Sequence, residues 1–287
     1  MNRRLTLSEY RATSRQLEGL LGTEFSAKIK ALWHRHGQPQ LLPTMASALR
    51  VARLAADEMG MTGVPVAAIL LQVFTEHTDY PIGQVQSDFS AELARVVTGL
   101  HKVNQFYHKA KALETDNFRM LLLTLAEDVR VIMIMLAERL YLIRHLADYP
   151  KAEQDSIAHE VAYLYAPLAH RMGFYPVKTE MEERAMEHNF PDTYREIARK
   201  LVDTAEAREA YFQHFIGPLK AKLDAAGFRY ELKSRTKSIP SIWNKMKKQH
   251  LPFEGIYDIF AIRLIIDCPF EQEKAQCWQV YSIVTDM

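Results

Sequence analysis

The sequence predicts a mostly α-helical protein: an all-helical domain, a helical linker, and then the start of an α/β domain. Three observations predict this. Apolar residues recur at helical spacing from residue 5 to about 215. From Phe228 the pattern turns to alternation and then to a β-rich run. Pro and Gly punctuate the helical part at short intervals and no internal repeat is present.

Ser47 to Met59 places Leu49, Val51, Ala52, Leu54 and Ala55 at helical spacing, and Gly60 is a natural stop. Val64 to Thr75 is almost wholly apolar, which predicts a buried helix, with Pro65 in its first turn. Phe89 to Leu100 is amphipathic. Thr115 to Asp148 is the longest helical block, with Leu121, Leu122, Leu125, Val129, Ile132, Leu136 and Leu140 in 3–4 spacing. Ile157 to Met172 and Val177 to Met186 continue the pattern, and Tyr194 to Val202 and Arg208 to Ala226 read as connecting helices. Gly173, Pro176 and Pro191 mark helix ends. Phe228 to Lys233 alternates as a strand, Ser241 to Gln249 is a short basic helix, Ile259 to Asp267 is a second strand, and Glu271 to Met287 is a last helix. Two strands in about sixty residues fall short of an ordinary sheet, so the α/β domain is expected to continue past Met287. The expected divisions are 1–195, 196–226 and 227–287.

The 287 residues suit about two domains. A hydrophobic share of 48% with 25% charged residues excludes a disordered chain, and a formal net charge of +1 excludes a polycation. Cys268 and Cys277 lack metal or redox spacing and read as two buried thiols of a reduced cytosol. No secretory signal follows Met1, and the apolar stretch Val129 to Ala137 is too short for a membrane span. A cytoplasmic protein without membrane contact is expected.

Charge concentrates in one place. Between Gly217 and His250 there are nine Lys and Arg residues against two acids, Asp224 and Glu231. Arg235, Lys237, Ser241 and Lys245 stand at the mouth of the short helix, where free backbone N–H groups also point outward; such a set suits a polyphosphate. Asp258 opens the following strand, where a carboxylate can hold Mg²⁺. The residues alone leave a solvated basic surface and a non-specific RNA contact open as alternatives.

Arg235-x-Lys237-x-x-x-Ser241-Ile242-x-x-Lys245-Met246 resembles the RxKxxxSIxxKM signature of RelA/SpoT synthetase domains, and Asp258-x-x-Ala261-x-Arg263 resembles the DxxAxR that follows it. The resemblance implies a nucleotidyltransferase-like fold and pyrophosphate transfer from ATP to the 3′-hydroxyl of GDP or GTP. It implies that Arg235 and Lys237 grip ATP phosphates, that Ser241 and Lys245 line the nucleotide loop and helix, that Asp258 holds Mg²⁺, and that Arg263 sits by the adenine or phosphates. A second metal carboxylate, a general-base region and a guanine-stacking aromatic lie further downstream in the family, so this chain by itself is expected to be inactive as a synthetase. Ribosome control is implied through carboxy-terminal regions, and a homodimer is a further possibility.

The helical part resembles the hydrolase domain of the same family. Val97 to Val103 resembles its VxGVTKL turn, Asn117 to Leu122 its NxRKMLL helix, Leu136 to Leu140 its LADRL, and Tyr165 to Gly173 its YAPLAHRLG. An active HD-type hydrolase needs a His, a His-Asp pair and a later Asp around Mn²⁺. Here Gln72 and Val73 stand at the His-Asp pair and Glu138 at the later Asp, and no His lies between Pro43 and Ser47. Tyr141-Leu142 replaces the usual His-Asn. The expectation is an HD-like pseudo-hydrolase without Mn²⁺. His77, His101 and His145 read as surface or hydrogen-bonded core residues. An altered HD hydrolase and a non-catalytic regulatory scaffold are the alternative functions.

Overall fold

The structure, a computed structural model, describes residues 7–109 and 128–287. The chain divides into two compact units, Met1–Asn189 and Phe190–Met287.

The first unit is helical throughout its described residues: α1 (Leu7–His36, kinked at Gly22), α2 (Leu42–Met59), α3 (Val64–His77), α4 (Val85–Asp88), α5 (Ala91–Lys109), α6 (Val129–Arg144), α7 (Lys151–Glu160), α8 (Ala166–Arg171) and α9 (Tyr175–Asn189). A π-helical turn, Val161–Tyr165, joins α7 to α8. α3 is the centre: every residue from Pro65 to Phe74 is buried, as its apolar run requires, and α1, α2, α5 and α6 pack around it. α2 begins five residues before the expected start because Pro43 sits favourably in its first turn. It ends where Gly60, at φ 68°, takes the left-handed cap position that a side chain disfavours.

Three expectations are corrected here. The block from Thr115 to Asp148 is not one helix: Asp128 is an N-cap whose Oδ1 accepts from the Arg130 N–H at 3.0 Å, so α6 starts afresh at Val129. Its portion before Asp128, with Asn117 to Leu122, lies outside the described residues. Val97 to Val103 is no turn but the middle of α5, and Gly99 serves packing: a Cβ there would stand 2.8 Å from Val131 Cγ2. The cysteines are not buried: Cys268, in the connection before the last helix, is half-buried, and Cys277 is on the exposed side of that helix.

The second unit contains α10 (Pro191–Asp203), α11 (Ala205–Ala225), β1 (Tyr230–Thr236), α12 (Ile239–Gln249), β2 (Phe260–Ile266) and α13 (Glu273–Thr285). β1 starts two residues later than its alternation suggested, since Gly227 (φ 75°) ends the preceding turn and Phe228 packs as an apolar anchor beside it. β1 and β2 pair antiparallel, Tyr230 opposite Ile266 through Thr236 opposite Phe260. Period-two alternation then separates two faces. Leu232, Ile262 and Leu264 face a small core with Ile216, Leu219 and Leu223 of α11 and Val280 of α13. Glu231, Lys233, Arg235, Ala261, Arg263 and Ile265 are exposed on the other face. Among the described residues no helix is long and apolar enough to cross a membrane.

Candidate nucleotide site and the helical-domain cavity

The sheet register brings the basic residues together. Lys233 lies directly opposite Arg263, and Arg235 is next along the same face of β1. Like charges facing one another across a ladder are unfavourable, and here Glu231, on the same face of β1, answers Lys233 at 3.1 Å. Lys233 was not singled out in the sequence; its strand parity and the pairing register are the signals that find it. The ladder runs on past β1, with the Lys237 N–H donating to the Ile259 carbonyl at 2.7 Å. This contact sets Lys237 beside the start of β2, where Asp258 stands.

Asp258 takes two ammonium partners. Lys237 Nζ donates to Oδ2 at 2.6 Å, and Lys245 Nζ lies 2.6 Å from Oδ1. The hydrogen bond from Lys237, then that from Lys245, holds the carboxyl down at about 2, so it stays ionised at any ordinary pH. Three of the expected residues thus converge although they come from the segment just past β1, from α12 and from the loop before β2.

Ser241 is in the first turn of α12, its hydroxyl 2.8 Å from that of Ser238. Ser238, at the N-cap, makes no side-chain cap bond, so first-turn N–H groups remain available to an anion. Arg235 and Arg263 are exposed on the sheet face and do not pair with Asp258. An ionised, half-exposed carboxylate among ammonium groups is a hard oxygen donor of the kind Mg²⁺ takes, alongside phosphate oxygens.

The first unit has its own cavity, of about 240 Å³. Gln72, Val73 and Glu138 all line it, together with Glu76, His77 and Tyr141. Thr44 and Ser47, from the stretch where an active HD hydrolase would carry a His, line it too. Gln72 Nε2 and Asn104 Nδ2 both donate to Glu76 Oε1 at 3.0 Å, while Gln72 Oε1 is buried with no partner among the described residues. The Glu138 carboxyl is raised to about 7, chiefly by desolvation and further by the charge of Glu76, with Arg139 opposing. Among the described residues no group of three or more His, Cys, Asp or Glu is placed to hold a metal ion. His101 Nε2 is 2.8 Å from the Thr75 hydroxyl, and His145 Nδ1 is 2.8 Å from the Tyr141 carbonyl.

Comparison with known proteins matches both units. Residues 23–175 match the HD domain family, and residues 234–287 match the region found in RelA/SpoT proteins. A GTP pyrophosphokinase of Photobacterium angustum is 31% identical over 233 residues, covering 79% of this chain and 31% of that protein. A guanosine-3′,5′-bis(diphosphate) 3′-pyrophosphohydrolase of Aquifex aeolicus is 29% identical over 249 residues, covering 86% of this chain and 34% of that protein. A GTP pyrophosphokinase of Escherichia coli K12 is 37% identical over 154 residues, 54% of this chain and 21% of that protein. The chain spans about a third of the length of the first two of these relatives.

Proposed function

The chain belongs to the RelA/SpoT family, and from that premise we propose that it carries the ATP-binding part of a (p)ppGpp synthetase beside a hydrolase-like domain without metal chemistry. The observation that carries the reading is the convergence of Lys237 and Lys245 on Asp258.

The reaction moves a pyrophosphoryl group. The 3′-oxygen of GDP or GTP bonds to the β-phosphorus of ATP, the bond from that phosphorus to the α–β bridging oxygen breaks, and AMP leaves. Such a transfer asks the protein mainly for positioning and charge neutralisation. Arg235 and Lys237 grip the triphosphate, and Ser241 and the first-turn N–H groups of α12 take further oxygens. Arg263 holds the adenine side or a phosphate. The two lysines keep Asp258 ionised and oriented until nucleotide phosphates compete for the ammonium groups. Mg²⁺, when held by Asp258, would offset charge on the transferring phosphates. A chain with one metal carboxylate and two strands supplies only part of this machinery, so the 287-residue chain alone binds ATP without turning it over. The full-length protein, with GDP or GTP as acceptor, is the cytoplasmic enzyme; ribosome contact belongs to regions outside this chain.

The naming of relatives for both activities makes hydrolysis the second reading. Against it stand the side chains of the cavity: Val73 has no lone pair and Gln72 is an amide. A synthesis assay on the full-length protein with ATP and GDP or GTP, beside Asp258→Asn, decides the first point. Alarmone yield should fall at least 100-fold, and equal yield from both proteins removes Asp258 from its role. A (p)ppGpp hydrolysis assay with Mn²⁺ should show no turnover; turnover lost in Glu138→Gln would favour the hydrolase.

A further inference from the structure

A second cavity, of about 560 Å³, lies wholly within the second unit and takes in none of the side chains assigned above. Its walls are the last turn of α10, the first turn of α11 and the connection between α12 and β2. The volume lies within the range of small-molecule sites.

The chemistry of the walls is two-sided. Phe253, Ile256, Ile259 and Phe260 form an apolar floor. Tyr257, at the edge, is 93% exposed, an unusual position for a large ring with nothing against it. The charged rim is not neutral. Lys200 is answered by Glu254 at 2.8 Å and Glu196 at 3.4 Å. Arg208 is half-buried, yet its guanidinium donates only to uncharged oxygens, the Thr204 hydroxyl and the Leu201 carbonyl, the latter at 2.8 Å. Arg199 is exposed and pairs with no carboxylate among the described residues. Two guanidinium groups thus face the cavity against one uncommitted acid, Asp203. A partly desolvated guanidinium without a counter-charge favours an anion, and its planar fork suits phosphate or carboxylate.

We propose that this cavity binds an aromatic anion of about the size of a nucleoside monophosphate, its ring on Phe260 and Tyr257 and its phosphate or carboxylate on Arg199 and Arg208. The site is distinct from the Asp258 cluster, whose lysines Lys237 and Lys245 do not line it.

Isothermal titration of the 287-residue chain in Mg²⁺-free buffer tests the proposal, with AMP, 2-naphthoate, inorganic phosphate and benzyl alcohol as probes. AMP or 2-naphthoate should bind at least 10-fold more tightly than inorganic phosphate or benzyl alcohol, since each of the latter satisfies only one wall. If AMP binds and 2-naphthoate does not, the site is selective for phosphate; the reverse selects carboxylate. Arg199→Gln, at an exposed position, should weaken the tighter probe about 10-fold, as should Arg208→Gln, with circular dichroism reporting that each variant is folded. Arg235→Gln with Lys237→Gln should leave the 2-naphthoate affinity unchanged, since neither residue lines the cavity, while any AMP bound at the Asp258 cluster is lost. Three results overturn the proposal: no binding of either aromatic anion, undiminished binding by the folded Arg199→Gln variant, or loss of 2-naphthoate binding in the Arg235→Gln, Lys237→Gln variant, which would place the ligand at the Asp258 cluster.

Discussion

Asp258 and Glu138 are two carboxylates driven in opposite directions by their surroundings. Asp258 is half-exposed and held near 2 by Lys237 and Lys245. Removing both ammonium groups (Lys237→Ala with Lys245→Ala) should return its titration towards 4, measured by carboxyl NMR against pH. Glu138 is enclosed and raised to about 7. The folded state therefore keeps the Glu138 proton over a range where the unfolded chain, near 4.5, has released it. Its contribution to stability is full below about pH 4.5, declines as pH rises to about 7, and is flat above that. The loss should be on the order of 3 kcal/mol. Urea midpoints of the native chain should fall between pH 5 and pH 8, and Glu138→Gln should flatten that part of the profile. An unchanged slope in the variant would mean that Glu138 titrates normally.

At the level of elements, close packing and caps make the sharpest demands. α5 and α6 approach so closely at Gly99 that a methyl group would meet Val131 Cγ2 at 2.8 Å. Gly99→Ala gains helix propensity but forces the pair apart, so it should destabilise by about 1–3 kcal/mol. A stabilised variant in thermal melting would show that the helices separate freely. α12 ends on His250, the one described residue other than glycine with positive φ, at 53°. The left-handed conformation costs an L side chain roughly 1 kcal/mol that glycine avoids. His250→Gly should accordingly raise the melting temperature by a few degrees, while His250→Val should lower it.

On the scale of the molecule, the two units differ in how much apolar surface they enclose. The core of the first runs from Leu21 to Ala185 and contains α3 on all sides. The second has a small core beneath one face of a two-stranded sheet, with Trp278, Tyr281 and Phe270 left exposed. Stability grows with the fraction of surface buried. Residues 1–189 expressed alone should keep a cooperative helical melt, whereas the second unit should unfold at lower denaturant. A single coincident transition, followed by circular dichroism and by tryptophan fluorescence in a Trp33→Phe variant whose remaining Trp243 and Trp278 lie in the second unit, would contradict this.

Most of the fold was legible because its signals are local. The apolar run of α3, Gly60 after α2 and the alternation of β2 each depend on residues within one element, and periodicity reports them directly. The break at Asp128 was hidden because the 3–4 spacing of apolar residues runs straight through it, and only the cap bond to Arg130 reveals a new helix. For the candidate site, motif spacing marked Arg235, Lys237, Ser241, Lys245, Asp258 and Arg263, and it aligned Gln72, Val73 and Glu138. Spacing along the chain cannot state which side chains touch. Tertiary structure decided that Lys237 and Lys245 share one carboxylate, that Lys233 joins Arg263 through the strand register, and that a cavity opens between α10, α11 and the connection to β2. Those features rest on contacts between segments distant in sequence, which only the folded chain brings within bonding distance.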